Sequence, residues 1–165
     1  MKINKAIFLD RDGVLNKELG DYVCRKEDFY VLEHNFLPLK QLRDLGYIFI
    51  VITNQGGLAK GWYDKKMLDS MHEYLKECFA VHDIHLSEIY YCNHHPDYNG
   101  KCLCRKPGSI MIEKALARFN INPSLSYFIG DRERDVLAGE QAGVKGILIN
   151  SDQPISEVLD KIISE

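Results

Sequence analysis

The sequence has no apolar run long enough to cross a bilayer: the longest, Tyr47 to Ile52, falls far short of the roughly 20 residues that a spanning helix needs. The N-terminus carries no signal-peptide pattern, so the expected location is cytoplasmic, without membrane association. Charge of one sign is also scarce. Lys and Arg number 21 against 24 Asp and Glu, a formal net charge of −3, which offers no general attraction to polyanions. Nucleic acid is therefore not an expected partner, and any phosphate must be recognised by locally placed Lys, Arg and backbone N–H groups. There is no internal repeat, low-complexity tract or linker. A chain of 165 residues with 45% hydrophobic residues fits a single domain over 1–165 with a sizeable core, and has little room for a second. No apolar helix or arm is left over, so a monomer is expected.

What is present is an alternation of short apolar runs and amphipathic stretches. Ala6 to Leu9 reads as a buried strand stopped by Asp10, and Tyr47 to Ile52 as a second one stopped by Thr53. Between them Asn35 is a candidate helix cap, with Pro38 in the first turn, Phe36, Leu39, Leu42 and Leu45 as a stripe, and Gly46 as the stop. Asp64 is the candidate cap of a helix whose Met67, Leu68, Met71, Leu75 and Phe79 face the core. Strands at Glu88–Tyr91, Tyr127–Ile129 and Gly146–Ile149 follow, with helices at Ile110–Phe119, Arg134–Ala142 and about Ser156–Ile163. This order predicts an α/β fold, a Rossmann-like three-layer sandwich with a mainly parallel sheet and right-handed crossovers. Ligands of such sheets bind beyond the carboxyl ends of the strands. Asp10, Asp12, Thr53 and Asp131 all fall there.

Two aspartates one residue apart at the end of a buried strand need a cation or donors to compensate them. Mg²⁺ suits them because it takes oxygen ligands and keeps several waters; a capped turn before Gly13 is the plainer alternative. Thr53 adds a hydroxyl, Lys106 a positive charge, and Asp131 and Asp135 further carboxylates.

In this order the motifs Phe8-Leu9-Asp10-Arg11-Asp12-Gly13-Val14, Ile52-Thr53-Asn54-Gln55, Cys104-Arg105-Lys106-Pro107 and Gly130-Asp131-Arg132-Glu133-Arg134-Asp135 resemble those of the haloacid dehalogenase superfamily of phosphotransferases. The resemblance covers nearly the whole chain. It implies a magnesium-dependent phosphatase with Asp10 as nucleophile, Asp12 as general acid and base, and Thr53 and Lys106 on the transferring phosphoryl group. Mg²⁺ would be held by Asp10, Asp131 and the Asp12 carbonyl. Asp135 would orient Lys106 or a metal-bound water.

Cys92-Asn93-His94, seven further residues and Cys102-Leu103-Cys104 have the ligand types and spacing of a closed, structural Zn²⁺ site in a loop over 92–104. His95 breaks that spacing and is read as a loop or substrate-facing residue. Cys24 and Cys78 read as ordinary cysteines. Since Arg105 and Lys106 directly follow Cys104, a metal-anchored loop would carry both cations toward the site.

Within the superfamily, D-R-D-G, T-N-Q and C-x-H…C-x-C-R-K-P are similar to a group without a large cap domain that includes heptose 1,7-bisphosphate 7-phosphatases and histidinol-phosphate phosphatases. Cys92-Asn93-His94-His95-Pro96 and Gly20-Asp21-Tyr22-Val23 look more like the heptose members, so the expected substrate is a small phosphorylated sugar, with histidinol phosphate the rival. The expected substrate contacts are Gly20, Asp21, Tyr22, Val23, Thr53, Asn54, Gln55, Gly56, Lys60, Arg105 and Lys106. The family pattern often has Arg where this chain has Lys60, which is alternatively a solvated loop residue.

Overall fold

The computed structural model describes residues 3–164. Their five strands are β1 (Lys5–Leu9), β2 (Tyr47–Asn54), β3 (Leu86–Cys92), β4 (Tyr127–Gly130) and β5 (Lys145–Leu148). They form one sheet in the order β3-β2-β1-β4-β5, and every pairing is parallel. The chain therefore starts at the centre, fills one side through β2 and β3, then returns to fill the other. At β1 and β4 the connections leave in opposite directions, which opens a crevice at their carboxyl ends. Asp10 and Asp131 are the residues that follow those two strands.

The helices are α1 (Phe36–Asp44), α2 (Lys65–Ala80), the single-turn α3 (Pro96–Asn99), α4 (Ile110–Arg118), α5 (Glu133–Gln141) and α6 (Asp160–Ile163). Alternate strand residues point to opposite faces, so the sheet has two cores. Ile7, Leu9, Phe49, Val51 and Ile129 pack with Leu39 and Leu42 of α1 and with the α2 stripe. Ala6, Phe8, Ile50, Ile52 and Phe128 pack with Met111, Ile112 and Ala115 of α4 and Ala138 of α5. Leu68, Met71, Leu75 and Phe79 are fully buried, each burial contributing roughly 1.5–3 kcal/mol of hydrophobic stabilisation.

Asp64 caps α2 as its position predicts, its carboxylate accepting from Met67 N at 2.8 Å. Three local expectations differ. Asn35 precedes α1 but its side chain does not cap it; its amide donates to Val14 O at 2.7 Å and its oxygen accepts from Ile155 N at 2.8 Å, stitching two loops together in the core. Leu45 lies beyond α1 and is exposed, because the helix ends one residue earlier at Asp44. The closing helix divides into a 3-10 turn at Ile155–Val158 and α6. No described helix is long and apolar enough to cross a membrane.

Candidate active site

Asp10 follows β1, is 5% exposed and accepts from Lys106 Nζ at 2.8 Å. The same ammonium donates to Ile52 O at 2.7 Å and forms an ion pair with Asp135 Oδ1 at 2.7 Å. Burial favours the neutral form of Lys106, but Asp10 and Asp135 outweigh it and raise the pKa. Asn54 fixes the main chain of Lys106 from both sides, donating to its carbonyl at 3.2 Å and accepting from its N–H at 3.0 Å. Asp135 also accepts from Arg132 N at 3.0 Å, which ties the start of α5 to the same ion pair.

Asp131 completes the floor. Its Oδ2 accepts from Ser151 Oγ at 2.5 Å, and Gly13, at φ +81°, passes so near that a Cβ there would collide with the carboxylate. Asp10, Asp131 and Asp135 place oxygens within 4.8 Å of one another. With one buried lysine among three carboxylates the cluster is short of positive charge: burial, only partly offset by Lys106, pushes Asp10 up to about 8. A hard divalent cation suits this all-oxygen donor set and would supply the missing charge.

Asp12 has a different environment, although it is two residues away. Its oxygens accept from Arg11 Nη2 at 2.9 and 3.1 Å, from Asn16 Nδ2 at 2.8 Å and from Gln55 Nε2 at 3.0 Å. Burial by itself raises this carboxyl, but the Arg11 charge and these donors overcome it and hold the pKa below its ordinary value. Gln55 is buried, donates also to Thr53 Oγ1 at 2.8 Å and accepts from Tyr63 O–H at 2.6 Å. Since Thr53 Oγ1 accepts from Gln55, its own proton is available to a ligand.

Asp10, Asp12, Thr53, Asn54 and Asp131 line one pocket, whose mouth is formed by Glu18, Gly20, Asp21, Tyr22, Arg105, Arg132 and Arg134. Gly56 lies beneath a crowded rim: a Cβ there would meet Tyr22 Oη at 2.7 Å, His95 Cδ2 at 3.1 Å and Arg105 Nη1 at 3.3 Å. Lys106 and Gln55 act from behind the wall. Val23 faces the core instead of the pocket, at 1% exposure. Lys60 is neither a pocket wall nor free in solvent; its Nζ stands 4.3 Å from the centre of the Trp62 ring, with Tyr22 at 5.4 Å and Tyr98 at 5.8 Å.

Beside the pocket, Cys92 Sγ, His94 Nδ1, Cys102 Sγ and Cys104 Sγ lie within 4.8 Å of one another. Their sulfur–sulfur distances of 3.1, 3.5 and 3.6 Å exclude disulfides and approach the roughly 3.7 Å edge of a tetrahedron with metal–sulfur bonds of about 2.3 Å. Burial pushes the Cys92 thiol up, so a cation is what would make it a thiolate ligand. Arg105 Nη1 donates to His94 O at 3.1 Å, linking the cluster to the pocket rim. His95 stays outside the cluster and packs edge-on against Tyr98. Cys24 and Cys78 are free and half-buried.

Asn16, Tyr63, His72 and Ser151 are site or supporting residues outside the motifs, and Arg11, Arg132 and Arg134 lie inside them without a role assigned from the sequence. His72 had a visible signal, since it interrupts the apolar stripe of α2. Arg11 had only its place between two aspartates.

The HAD-hydrolase-like family matches residues 103–162, a C-terminal segment, shorter than half of the chain, that carries Lys106 and Asp131. A D-glycero-beta-D-manno-heptose-1,7-bisphosphate 7-phosphatase of Helicobacter pylori is 42% identical over 94% of this chain and 88% of its own length. The D-glycero-alpha-D-manno-heptose-1,7-bisphosphate 7-phosphatase of Photorhabdus laumondii is 37% identical over 96% and 90%. Among solved structures, a D,D-heptose 1,7-bisphosphate phosphatase from B. bronchiseptica, complexed with magnesium and phosphate, superposes with a TM-score of 0.85 at 26% identity, covering 97% of this chain and 98% of that one. With motifs, sheet order and relatives in agreement, the chain belongs to the haloacid dehalogenase-like phosphatases, in the group of the heptose-bisphosphate phosphatases.

Proposed function

We propose that this phosphatase removes the C7 phosphate of D-glycero-D-manno-heptose 1,7-bisphosphate through a phosphoryl group carried on Asp10. The observation that carries the reading is the pocket itself, in which Asp10, Asp12 and Thr53 lie beneath a mouth bearing Arg105, Arg132 and Arg134. Arginines around the opening, set among Glu18 and Asp21, suit a substrate that carries a second phosphate and several hydroxyls.

Asp10 attacks phosphorus, which splits hydrolysis into formation and breakdown of an acyl phosphate, each easier than direct attack by water. Thr53 donates to a phosphoryl oxygen, and Lys106 holds Asp10 in line while adding positive charge beneath the transferring group. Asp12, held ionised in the resting site by Arg11, Asn16 and Gln55, takes up a proton with the incoming phosphate monoester, gives it to the leaving sugar oxygen and then takes one from the attacking water. Magnesium held by Asp10 and Asp131, with the Asp12 carbonyl, would neutralise charge on the phosphoryl oxygens. Asp135 serves through its ion pair with Lys106. Zinc at Cys92, His94, Cys102 and Cys104 would fix the loop that presents Arg105.

The deciding measurement is kcat/KM for the heptose bisphosphate, for the heptose with phosphate at C7 alone, and for histidinol phosphate. The bisphosphate is expected to lead both by at least about tenfold, the scale of one charge-assisted contact. If histidinol phosphate led instead, the substrate would be wrong and the phosphatase chemistry would stand.

A further inference from the structure

Helix α2 turns Leu68, Met71, Leu75 and Phe79 into the core, and His72, only 6% exposed, sits among them. Its Nε2 lies 3.2 Å from Arg11 Nη1. Arg11 is fully buried, its Nη2 occupied by Asp12; its Nε has no hydrogen-bond partner among the described residues. A guanidinium only donates, so the facing imidazole nitrogen must accept, which places the hydrogen of His72 on Nδ1. Burial first, and then the Arg11 charge, push the His72 pKa down to about 3, in keeping with a neutral ring.

The planar guanidinium is thus gripped at two points, Asp12 on one side and His72 on the other. A leucine at position 72 would continue the apolar stripe equally well and leave Arg11 Nη1 without its acceptor inside the protein. We infer that His72 is a positioning residue for proton transfer: by fixing Arg11 it fixes the orientation of the Asp12 carboxylate, with Asn16 and Gln55 holding the remaining lone pairs. The inference rests on the acid–base role proposed above for Asp12. His72 reaches neither substrate nor phosphorus and acts only through Arg11.

Proton delivery matters for an alkoxide leaving group and little for p-nitrophenolate, which departs without a proton. The test is therefore kcat/KM of wild type, H72L and H72Q on the heptose bisphosphate and on p-nitrophenyl phosphate, since this parameter covers the steps through departure of the leaving group. H72L is expected to lose roughly tenfold to a hundredfold on the sugar phosphate and less than about threefold on p-nitrophenyl phosphate. H72Q, whose amide oxygen again accepts from Arg11, should regain most of that loss. Equal losses on both substrates, or none on either, would overturn the inference. Where H72L does not fold, H72M, nearer to histidine in volume, replaces it. Wild-type substrate preference tests the heptose reading separately. If that reading fails, any sugar phosphate that the wild type hydrolyses serves for the leaving-group ratio.

Discussion

The carboxylate floor and the Cys/His loop both gather side chains that could hold a metal ion, but the chain supports them in opposite ways. The floor stands on the ends of β1, β2 and β4, where apolar strands fix each Cα and Lys106 already neutralises part of the charge. The loop has the one-turn α3, an exposed Leu103 and Tyr98, and no buried residue between Cys92 and Lys106. Removing a cation from the floor should therefore silence the chemistry and leave the fold, whereas removing one from the loop should unmake local structure first.

The sharpest way to break this contrast is D10N, which deletes the proposed nucleophile while keeping its shape. Turnover should fall by at least about a thousandfold, with a Tm at or above that of wild type because a buried carboxylate is replaced by a neutral amide; a lowered Tm would give the floor a structural role that the contrast denies it. C104S addresses the other cluster. Loss of one ligand should lower Tm by roughly 5–10 °C, at about 2–4 °C per kcal/mol for a chain of this size, and expose residues 93–103 to limited proteolysis. Metal analysis should find zinc in wild type and markedly less in the variant.

A third prediction concerns pH. The folded pKa of Asp10, about 8, lies above the ordinary 3.8, so in metal-free protein its contribution to stability is fully present below 3.8 and is lost as pH rises through 8. Mg²⁺ binding requires the ionised form, so Mg²⁺ affinity should climb by up to about tenfold per pH unit from pH 6 toward 8. Titrating Tm against Mg²⁺ at pH 6, 7 and 8 measures it; affinity that did not rise would remove Asp10 from the ligand set. The smallest effect is expected of K60M. Lys60 rests against Trp62 and Tyr22, so kcat/KM should fall less than about fivefold, the scale of an exposed cation–π contact, and K60R should restore it.

The same contrast explains what the sequence made legible. Asp10, Thr53 and Asp131 could be placed because each ends an apolar run, and the Cys/His quartet because its ligands lie within 13 residues. Arg11 and His72, 61 residues apart, could not be paired until α2 was docked against β1. Val23 shows the converse limit, since its neighbours Asp21 and Tyr22 reach the pocket while its own side chain turns inward. Asn35 looked like a cap because caps are local and predictable; its bonds to Val14 and Ile155 join distant loops.

Asn54 holds the backbone of Lys106 with two hydrogen bonds and asks nothing of the side chains between Cys92 and Cys104. Lys106 is thus moored to the sheet, independently of the turn between His94 and Cys102. A chain built this way can lengthen, shorten or exchange residues 95–101, between His94 and Cys102, as a cassette, trying new leaving groups against an unchanged engine.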